Sequence, residues 1–249
     1  MQSKKRIYAL DELRGVCVFC MVIYHALYTA AFLFSVEYAV YLFRLFRPAE
    51  PFIAAAFIII SGISSQLSRN NFKRSLPILA AAAIVSLATY FVMPKSMIYF
   101  GILHFLGLSI LIFSFAKRYI DKIPFAVALV IFPLLFFATY GIKDNVLGIN
   151  SDFGIELPHP STDYFFIFGF VSDSFSSADY FPLLPWFFAF LFGTALGRLA
   201  KDGIFPKFMY KKRSRILSYI GTHAFLIYIL HQPVIYGLLY LIYLLQGKV

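Results

Sequence analysis

Residues 6–34 read RIYALDELRGVCVFCMVIYHALYTAAFLF, and this stretch decides the fold of the chain. It is longer than the roughly 20 mostly apolar residues that an α-helix needs to cross a bilayer. It nevertheless carries Asp11, Glu12 and Arg14 near one end and His25 near the other. Because ionisable groups inside a membrane segment are costly, we interpret them as marks of a functional site.

Arg14 and His25 share one face of this predicted helix. At about 100° of rotation per residue their side chains lie within ~20° of each other, and the helical rise separates them by ~16.5 Å. Asp11 and Arg14 are three residues apart and can pair, which lowers the cost of the arginine. The alternative for Arg14 is that it only snorkels to the membrane surface. Cys17 and Cys20 are better explained by packing in this helix than by a redox pair.

The composition is that of an integral membrane protein. Of 249 residues, 61% are hydrophobic and 14% are charged, and the mean hydropathy is +0.78. A soluble domain is nearer half apolar and a quarter charged. The apolar runs are about 18–20 residues long and do not alternate as barrel strands do. We therefore predict an all-α polytopic helix bundle that forms a single domain over residues 1–249.

Hydropathy predicts seven membrane-spanning helices, and loop charges predict their orientation. With a cytoplasmic N-terminus, sixteen Lys and Arg residues lie in inner loops and five in outer loops. This excess predicts the N-terminus inside, the C-terminus outside, and an acidic outer loop at about 141–180. The predicted spans are about 9–33, 51–68, 75–93, 98–116, 123–140, 181–199 and 216–245. The five basic residues of the outer loops are Arg44, Arg47, Lys95, Lys143 and Lys248. The first three of the sixteen on the inner side are Lys4, Lys5 and Arg6.

The net charge of +10 is explained by this topology and by affinity for anionic lipid headgroups. We therefore expect membrane lipids and no nucleic acid among the partners of an integral membrane protein. Whether the chain forms a homo-oligomer stays open.

Two histidines are the candidate proton-transfer groups. His25 lies in the outer half of the first span, and His104 lies near the outer end of the fourth. At similar depth, one can be the general base while the other orients a substrate or leaving group. A metal site needs further ligands, which His159 or Asp179 would have to supply. No spacing requires that arrangement, so no metal is predicted.

Two further stretches place polar groups at the predicted membrane surface and within it. Asp179, Tyr180 and the only tryptophan, Trp186, precede or begin the sixth span, where they either anchor the interface or bind a hydroxyl or amine. His231 and Gln232 adjoin Pro233 inside the last span, where a proline is expected to kink the helix. Irregular backbone at membrane depth is tolerated beside protein or a water-filled cavity.

Five motifs, in order along nearly the whole chain, resemble bacterial members of the heparan-α-glucosaminide N-acetyltransferase-like family. The spacing from Arg14 to His25 is also similar to the arginine–histidine signature of the wider acyltransferase-3 group. The motifs are LDELRG at 10–15, SGIS at 61–64, YFGILHFLG at 99–107, DYFPLLPW at 179–186 and IYILHQPV at 227–234.

The resemblance implies an enzyme that moves an acetyl group from cytoplasmic acetyl-CoA, or another acyl-CoA, to an extracytoplasmic glycan. The lysosomal enzyme of the family uses a histidine in the loop after its first span, but residues 26–50 here contain none. We therefore assign catalysis to His25 or His104, and donor binding to Arg14 with Asp11. The expected acceptor-binding residues are Asp179, Tyr180, Trp186, His231 and Gln232.

Two other classes of function compete with acyl transfer. Intramembrane histidines, Arg14 and a kinked last helix are also typical of a proton-coupled small-molecule transporter. In a structural membrane subunit, the same polar groups would only hold helices together.

Overall fold

The first apolar stretch forms one helix, α1, from Tyr8 to Phe32. The computed structural model describes residues 6–94 and 97–247, and within them seven helical segments are long and apolar enough to cross a membrane. The prediction of an all-α polytopic bundle with seven spans is therefore confirmed. The segments are Tyr8–Phe32, Glu37–Leu67, Asn71–Val92, Ile102–Ile120, Phe125–Asp144, Leu183–Lys201 and Ala224–Leu245.

Several of these segments are built from more than one element. The second combines two α-helices joined by a short 3-10 turn. A small antiparallel hairpin follows the fifth, with Leu147 opposite Ile155. The remaining helices are α2 (Glu37–Phe46), α3 (Glu50–Leu67), α4 (Asn71–Val92), α5 (Ile102–Ile120), α6 (Phe125–Ala138), α7 (Leu183–Lys201), α8 (Arg215–Thr222) and α9 (Ala224–Leu245), and the strands are β1 (Val146–Gly148) and β2 (Gly154–Glu156).

The chain folds into two compact units. The first unit runs to Phe57 and resumes at Phe205, so it contains α1, α2, the start of α3, α8 and α9. The second unit runs from Ile58 to Ile204 and contains the rest of α3, α4 to α7 and the hairpin.

In the first unit, α8 packs tightly against the N-terminal part of α1. A Cβ added at Gly221 would lie 1.8 Å from the Asp11 carbonyl oxygen, and one at Gly15 would lie 2.1 Å from that of Leu217. Both positions therefore require glycine. The Glu12 carboxylate accepts the backbone N–H groups of Arg213 (2.6 Å) and Ser214 (2.9 Å) at the start of α8. Such a side-chain acceptor satisfies donors that a helix N-terminus leaves unpaired.

The last helix, α9, follows α1 in the same direction. Along α1, His25 contacts His231 and Thr29 contacts Gln232, and just past the end of α1 Phe34 contacts Tyr236. Helix α2 packs against an adjacent face of this part of α1, where the Phe43 ring touches several α1 rings. Those rings are Tyr24, Tyr28 and Phe32, with centroid distances of 5.0, 5.7 and 5.2 Å.

In the second unit, α3 and α7 approach closely and a polar cluster ties their ends to α5. A Cβ at Gly193 would lie 2.2 Å from the Ile59 carbonyl oxygen, which explains the glycine. Arg198 donates to the carbonyls of Ile120 (2.7 Å) and Ile123 (2.6 Å). These bonds satisfy acceptors at the C-terminus of α5, where a cation is also favoured by the helix dipole.

The structure refines three details of the sequence-based picture. The last predicted span, 216–245, is two helices, because the backbone leaves helical geometry at His223. Residues 37–46 form α2 although they were assigned to an outer loop. The segment at 141–180 holds the hairpin and 3-10 turns. The predicted loop-charge residues Lys4, Lys5, Lys95 and Lys248 lie outside the described residues.

Candidate functional site

Two histidines meet inside the first unit. The rings of His25, on α1, and His231, on α9, have centroids 5.0 Å apart with planes tilted by 54°. His231 is buried, with only 8% of its surface exposed, and His25 is partly buried. Sequence reasoning selected both residues but did not predict that they meet.

The amide of Gln232 links His25 to Thr29. The Gln232 amide nitrogen lies 3.2 Å from Nδ1 of His25, and the amide oxygen accepts the Thr29 hydroxyl at 3.2 Å. Thr29 is buried, at 2% exposure, one helical turn after His25 on the same face of α1. The four side chains of His25, Thr29, His231 and Gln232 form what we call the paired-histidine cluster.

The two nitrogens of His231 have different surroundings. Nδ1 lies 2.5 Å from the carbonyl oxygen of Tyr228, to which it donates its proton. Nε2 is buried and has no hydrogen-bond partner among residues 6–94 and 97–247. An unsatisfied buried polar atom costs about 1–3 kcal/mol, so it calls for an explanation.

Tyr24 and Glu50 adjoin this cluster. The Tyr24 hydroxyl donates to the Glu50 carboxylate at 2.9 Å, and the Tyr24 ring meets the His25 ring edge-on at 5.7 Å. Sequence reasoning missed Tyr24, Thr29 and Glu50. The available signal for Thr29 was its position four residues after His25, and for Glu50 it was an acid at the start of an apolar run.

Oppositely charged side chains lie close together at the N-terminal end of α1. Arg14 donates to the Asp11 carboxylate at 3.2 Å and to the Gly221 carbonyl at 3.4 Å, and Arg6 donates to Asp11 at 2.8 Å. The predicted pairing of Asp11 with Arg14 is thus confirmed. The cations of Arg6 and Lys212 both lie against the Tyr8 ring, at 5.5 and 5.9 Å.

His104 belongs to a separate cluster in the second unit. Its Nδ1 accepts the backbone N–H of Gly101 at 3.3 Å, and its Nε2 lies 3.0 Å from the Ser86 hydroxyl. Ser86 donates its own proton to the Ile98 carbonyl at 2.6 Å. Both ring nitrogens of His104 are thus hydrogen-bonded. His104 is the third residue of α5, and its side chain accepts the backbone N–H of the N-cap residue Gly101, as the N3 side chain of a capping box does.

Asp179 and Tyr180 bind backbone groups in the same unit. The Asp179 carboxylate accepts the N–H of Ile102, the first residue of α5, at 3.0 Å. The Tyr180 hydroxyl donates to the Phe166 carbonyl at 2.6 Å. Burial raises the pKa of the Tyr180 phenol, and the nearby Asp163 carboxylate adds to the effect. Both residues hold loop segments to helix ends.

Trp186 packs among aromatic rings at the start of α7. Its ring lies 5.2 Å from that of Phe181 and 5.6 Å from that of Phe136.

Two further expectations concern the histidines and a metal. Because His25 and His104 belong to different units, their approach, predicted from depth, stays a prediction. Over residues 6–94 and 97–247, no group of three or more His, Cys, Asp or Glu side chains could hold a metal ion.

Comparison with known proteins identifies the family. The family model described as heparan-alpha-glucosaminide N-acetyltransferase, catalytic, matches residues 6–233. The match contains both histidine clusters and ends directly after Gln232. Neither the curated proteins nor the solved structures give a match. Because the family model covers most of the 249 residues, the chain belongs to the heparan-alpha-glucosaminide N-acetyltransferase catalytic family.

Proposed function

We propose that this chain is a membrane acetyltransferase that takes an acetyl group from cytoplasmic acetyl-CoA and passes it to a sugar hydroxyl or amine on the opposite side. Membership in the acetyltransferase family supports the reaction and the glycan acceptor. The loop-charge asymmetry supports a cytoplasmic N-terminus. We further propose that the protein lies in a bacterial plasma membrane. We also propose that it is related to the acyltransferase-3 group, because the Arg14–His25 spacing is similar to the signature of that group.

The donor is proposed to bind at the N-terminal end of α1. Arg6, Arg14 and Lys212 converge there around Tyr8 and Asp11. The phosphates of CoA carry several negative charges, and charge-assisted hydrogen bonds to such cations are strong. From Arg14 the α1 helix rises ~16.5 Å to His25, which is a suitable length for the pantetheine arm. Asp11 contributes by orienting both arginines.

The reacting thioester is proposed to lie at the paired-histidine cluster. The observation that carries this proposal is the buried Nε2 of His231, which has no partner among the described residues and lies in a ring 5.0 Å from His25. A general base must have a lone pair that is not already used by the protein. His104, with both ring nitrogens bound, has no such lone pair in this structure. Its catalytic role stays a prediction that mutation can test.

Acceptor binding by Asp179, Tyr180 and Trp186 of the second unit stays a sequence-based prediction that mutation can test. Their observed backbone and aromatic contacts also support a purely architectural role. His231 and Gln232, assigned to acceptor binding from the sequence, are here proposed to take part in the proton chemistry.

The test is acetyl transfer across a sealed membrane. Proteoliposomes would hold chitosan oligosaccharides inside, as the probe for a glycan amine and hydroxyl, and receive labelled acetyl-CoA outside. We expect label in the trapped sugar with wild type. His25→Ala should lower the rate by about 10²–10⁴-fold, the usual contribution of a side chain that acts directly on the reacting groups.

The matched control is His223→Gln, because His223 is exposed and stacks on Tyr219 outside the cluster. This variant should transfer label at the wild-type rate. Full transfer by His25→Ala would remove His25 from the catalytic machinery, and no transfer by wild type to any sugar offered would count against the acetyltransferase itself.

A proton-coupled transporter is the second candidate, favoured by two histidines that meet within spanning helices. It predicts that CoA-free proteoliposomes accumulate labelled glucosamine when a proton gradient is imposed. Absence of gradient-driven uptake, together with acetyl transfer, would exclude it.

A further inference from the structure

We propose that the two paired histidines have fixed and opposite roles, with Nε2 of His231 as the proton acceptor and Nε2–H of His25 as a hydrogen-bond donor. We further propose that Thr29 is a positioning residue that holds this arrangement through Gln232. The inference rests on the proposed acetyl transfer for its chemistry, but the proton positions can be tested without any substrate.

The role of His231 follows from its backbone partner. A carbonyl oxygen can only accept, so the Tyr228 carbonyl at 2.5 Å requires the proton of the ring on Nδ1. In the neutral ring, Nε2 then carries a lone pair. A second proton on Nε2 would leave a buried cation whose N–H has no partner among the described residues, which is strongly unfavourable. His231 therefore carries a buried lone pair on Nε2, in a ring whose centroid lies 5.0 Å from that of His25.

The role of His25 follows from Thr29. The Thr29 hydroxyl donates to the Gln232 amide oxygen, and in this orientation the amide nitrogen faces His25. The amide nitrogen then donates to Nδ1 of His25, so the proton of the neutral imidazole must be on Nε2. A flipped amide would reverse both bonds, because its N–H would donate to the Thr29 oxygen and its oxygen would accept Nδ1–H of His25. Thr29 is thus coupled to the tautomer of His25 through the orientation of the Gln232 amide.

One donor and one acceptor suit acetyl transfer to a hydroxyl or an amine. His231 Nε2 removes the proton from the acceptor as its oxygen or nitrogen attacks the thioester carbonyl carbon. His25 Nε2–H donates a hydrogen bond to the oxyanion that forms, as donors of an oxyanion hole do. When the carbon–sulfur bond breaks, the His231 imidazolium returns the proton to the thiolate. The products are the acetylated sugar and CoA, with both rings restored.

The first arm of the test reads the tautomers directly. Nitrogen-15 NMR of histidine-labelled protein in lipid bilayers distinguishes protonated from bare ring nitrogens. Difference spectra against His25→Asn and His231→Asn assign the two rings. We expect wild type to show His25 protonated on Nε2 and His231 protonated on Nδ1. A His231 ring protonated on Nε2 would overturn the proposed proton acceptor.

The second arm separates the Thr29 hydroxyl from its methyl group. Thr29→Val keeps the shape and removes the hydroxyl, whereas Thr29→Ser keeps the hydroxyl. Loss of the hydrogen bond that fixes the amide should leave His25 in mixed tautomers in Thr29→Val and lower transfer by about 10-fold or more. Thr29→Ser should retain the wild-type spectrum and transfer within about threefold. A purely structural Thr29 would give the opposite order, because serine lacks the packed methyl.

The two arms make failures distinguishable. If wild type has the expected tautomers but transfers no acetyl group, the proposed function fails and the proton arrangement stands. If wild type transfers acetyl groups while Thr29→Val keeps both the wild-type tautomer of His25 and the wild-type rate, the positioning role of Thr29 is overturned and the function stands.

Discussion

His104 and His231 each lie on a membrane-spanning helix with Nδ1 bound to a backbone group, but the two backbone groups have opposite polarity. An N–H group at the start of α5 donates to His104, which makes Nε2 the protonated nitrogen, and Ser86 lies 3.0 Å from it. A carbonyl of α9 accepts from His231, which makes Nε2 the bare nitrogen, and that atom has no partner among residues 6–94 and 97–247.

The type of backbone partner, rather than membrane depth, therefore decides what such a histidine can do. Helix N-termini offer unpaired N–H groups, and helix interiors offer carbonyls to the residue three or four positions later. A histidine at N3 therefore tends to become a cap, whereas one inside a helix can present a lone pair. On this basis we expect the His104 cluster to contribute mainly stability and the paired-histidine cluster mainly activity.

The largest stability effect is expected at Asp179. Asp179→Ala removes the charged acceptor of the Ile102 N–H, and hydrogen bonds to charged groups are worth about 1.5–3 kcal/mol. We expect a lower thermal midpoint in detergent, with acetyl transfer per folded molecule little changed. Asp179→Asn, which keeps an acceptor oxygen, should recover part of the stability.

A second variant tests the same contact with Asp179 intact. A Cβ added at Gly101 would lie 2.2 Å from the Asp179 carboxylate oxygen, so Gly101→Ala should displace the carboxylate and destabilise the protein similarly. If Asp179→Ala instead keeps its thermal midpoint and raises KM for the sugar, Asp179 binds the acceptor, as the sequence-based interpretation expects.

Much of the architecture could be predicted from the sequence because it depends on local properties. Run length and hydropathy indicated the spans, and a spacing of three residues indicated the Asp11–Arg14 pair. The break at His223 was missed because the interruption, Gly221-Thr222-His223, is only three residues long, lies between two apolar runs and contains no proline. Helix α2 was missed because Glu37 and Arg44 lower its hydropathy, although Ala39 and Phe43 are buried one turn apart.

The site was only half predictable, for a different reason. The residue types of His25, His231 and Gln232 marked them as unusual in apolar helices, but His25 and Gln232 are 207 positions apart in the sequence. Helical periodicity says which face a residue occupies and not which helix covers that face. The tautomer of each histidine ring could not be predicted either, because it depends on which groups its two nitrogens contact.

A smaller stability effect is expected at His104 itself. His104→Ala removes the acceptor of the Gly101 N–H and the ring bond to Ser86, and loss of a helix cap costs about 1 kcal/mol. Gln is a usual capping-box residue at N3, so His104→Gln should restore most of the lost thermal stability. Both variants should retain transfer within about threefold once normalised to folded protein. A stable His104→Gln with a 100-fold lower rate would make His104 catalytic after all.

The smallest effect is expected at Ser86. Ser86→Ala removes the oxygen that accepts the His104 Nε2–H, while the Ile98 carbonyl loses one donor. A neutral hydrogen bond contributes about 0.5–1.5 kcal/mol, and both partners are only partly buried, so the thermal midpoint should fall slightly and less than in His104→Ala. Ser86→Thr, which keeps the hydroxyl, is the matched control.

The distance from Ser86 to His104 also suits a nucleophile and its base, so Ser86→Ala also tests whether Ser86 carries the acetyl group. Because Ser86 donates to a carbonyl and His104 Nε2 carries the proton, neither partner is in the state that such an attack requires. We therefore expect Ser86→Ala to transfer acetyl groups at nearly the wild-type rate, and a protein-bound acetyl group that disappears in this variant would reverse the roles of the two clusters.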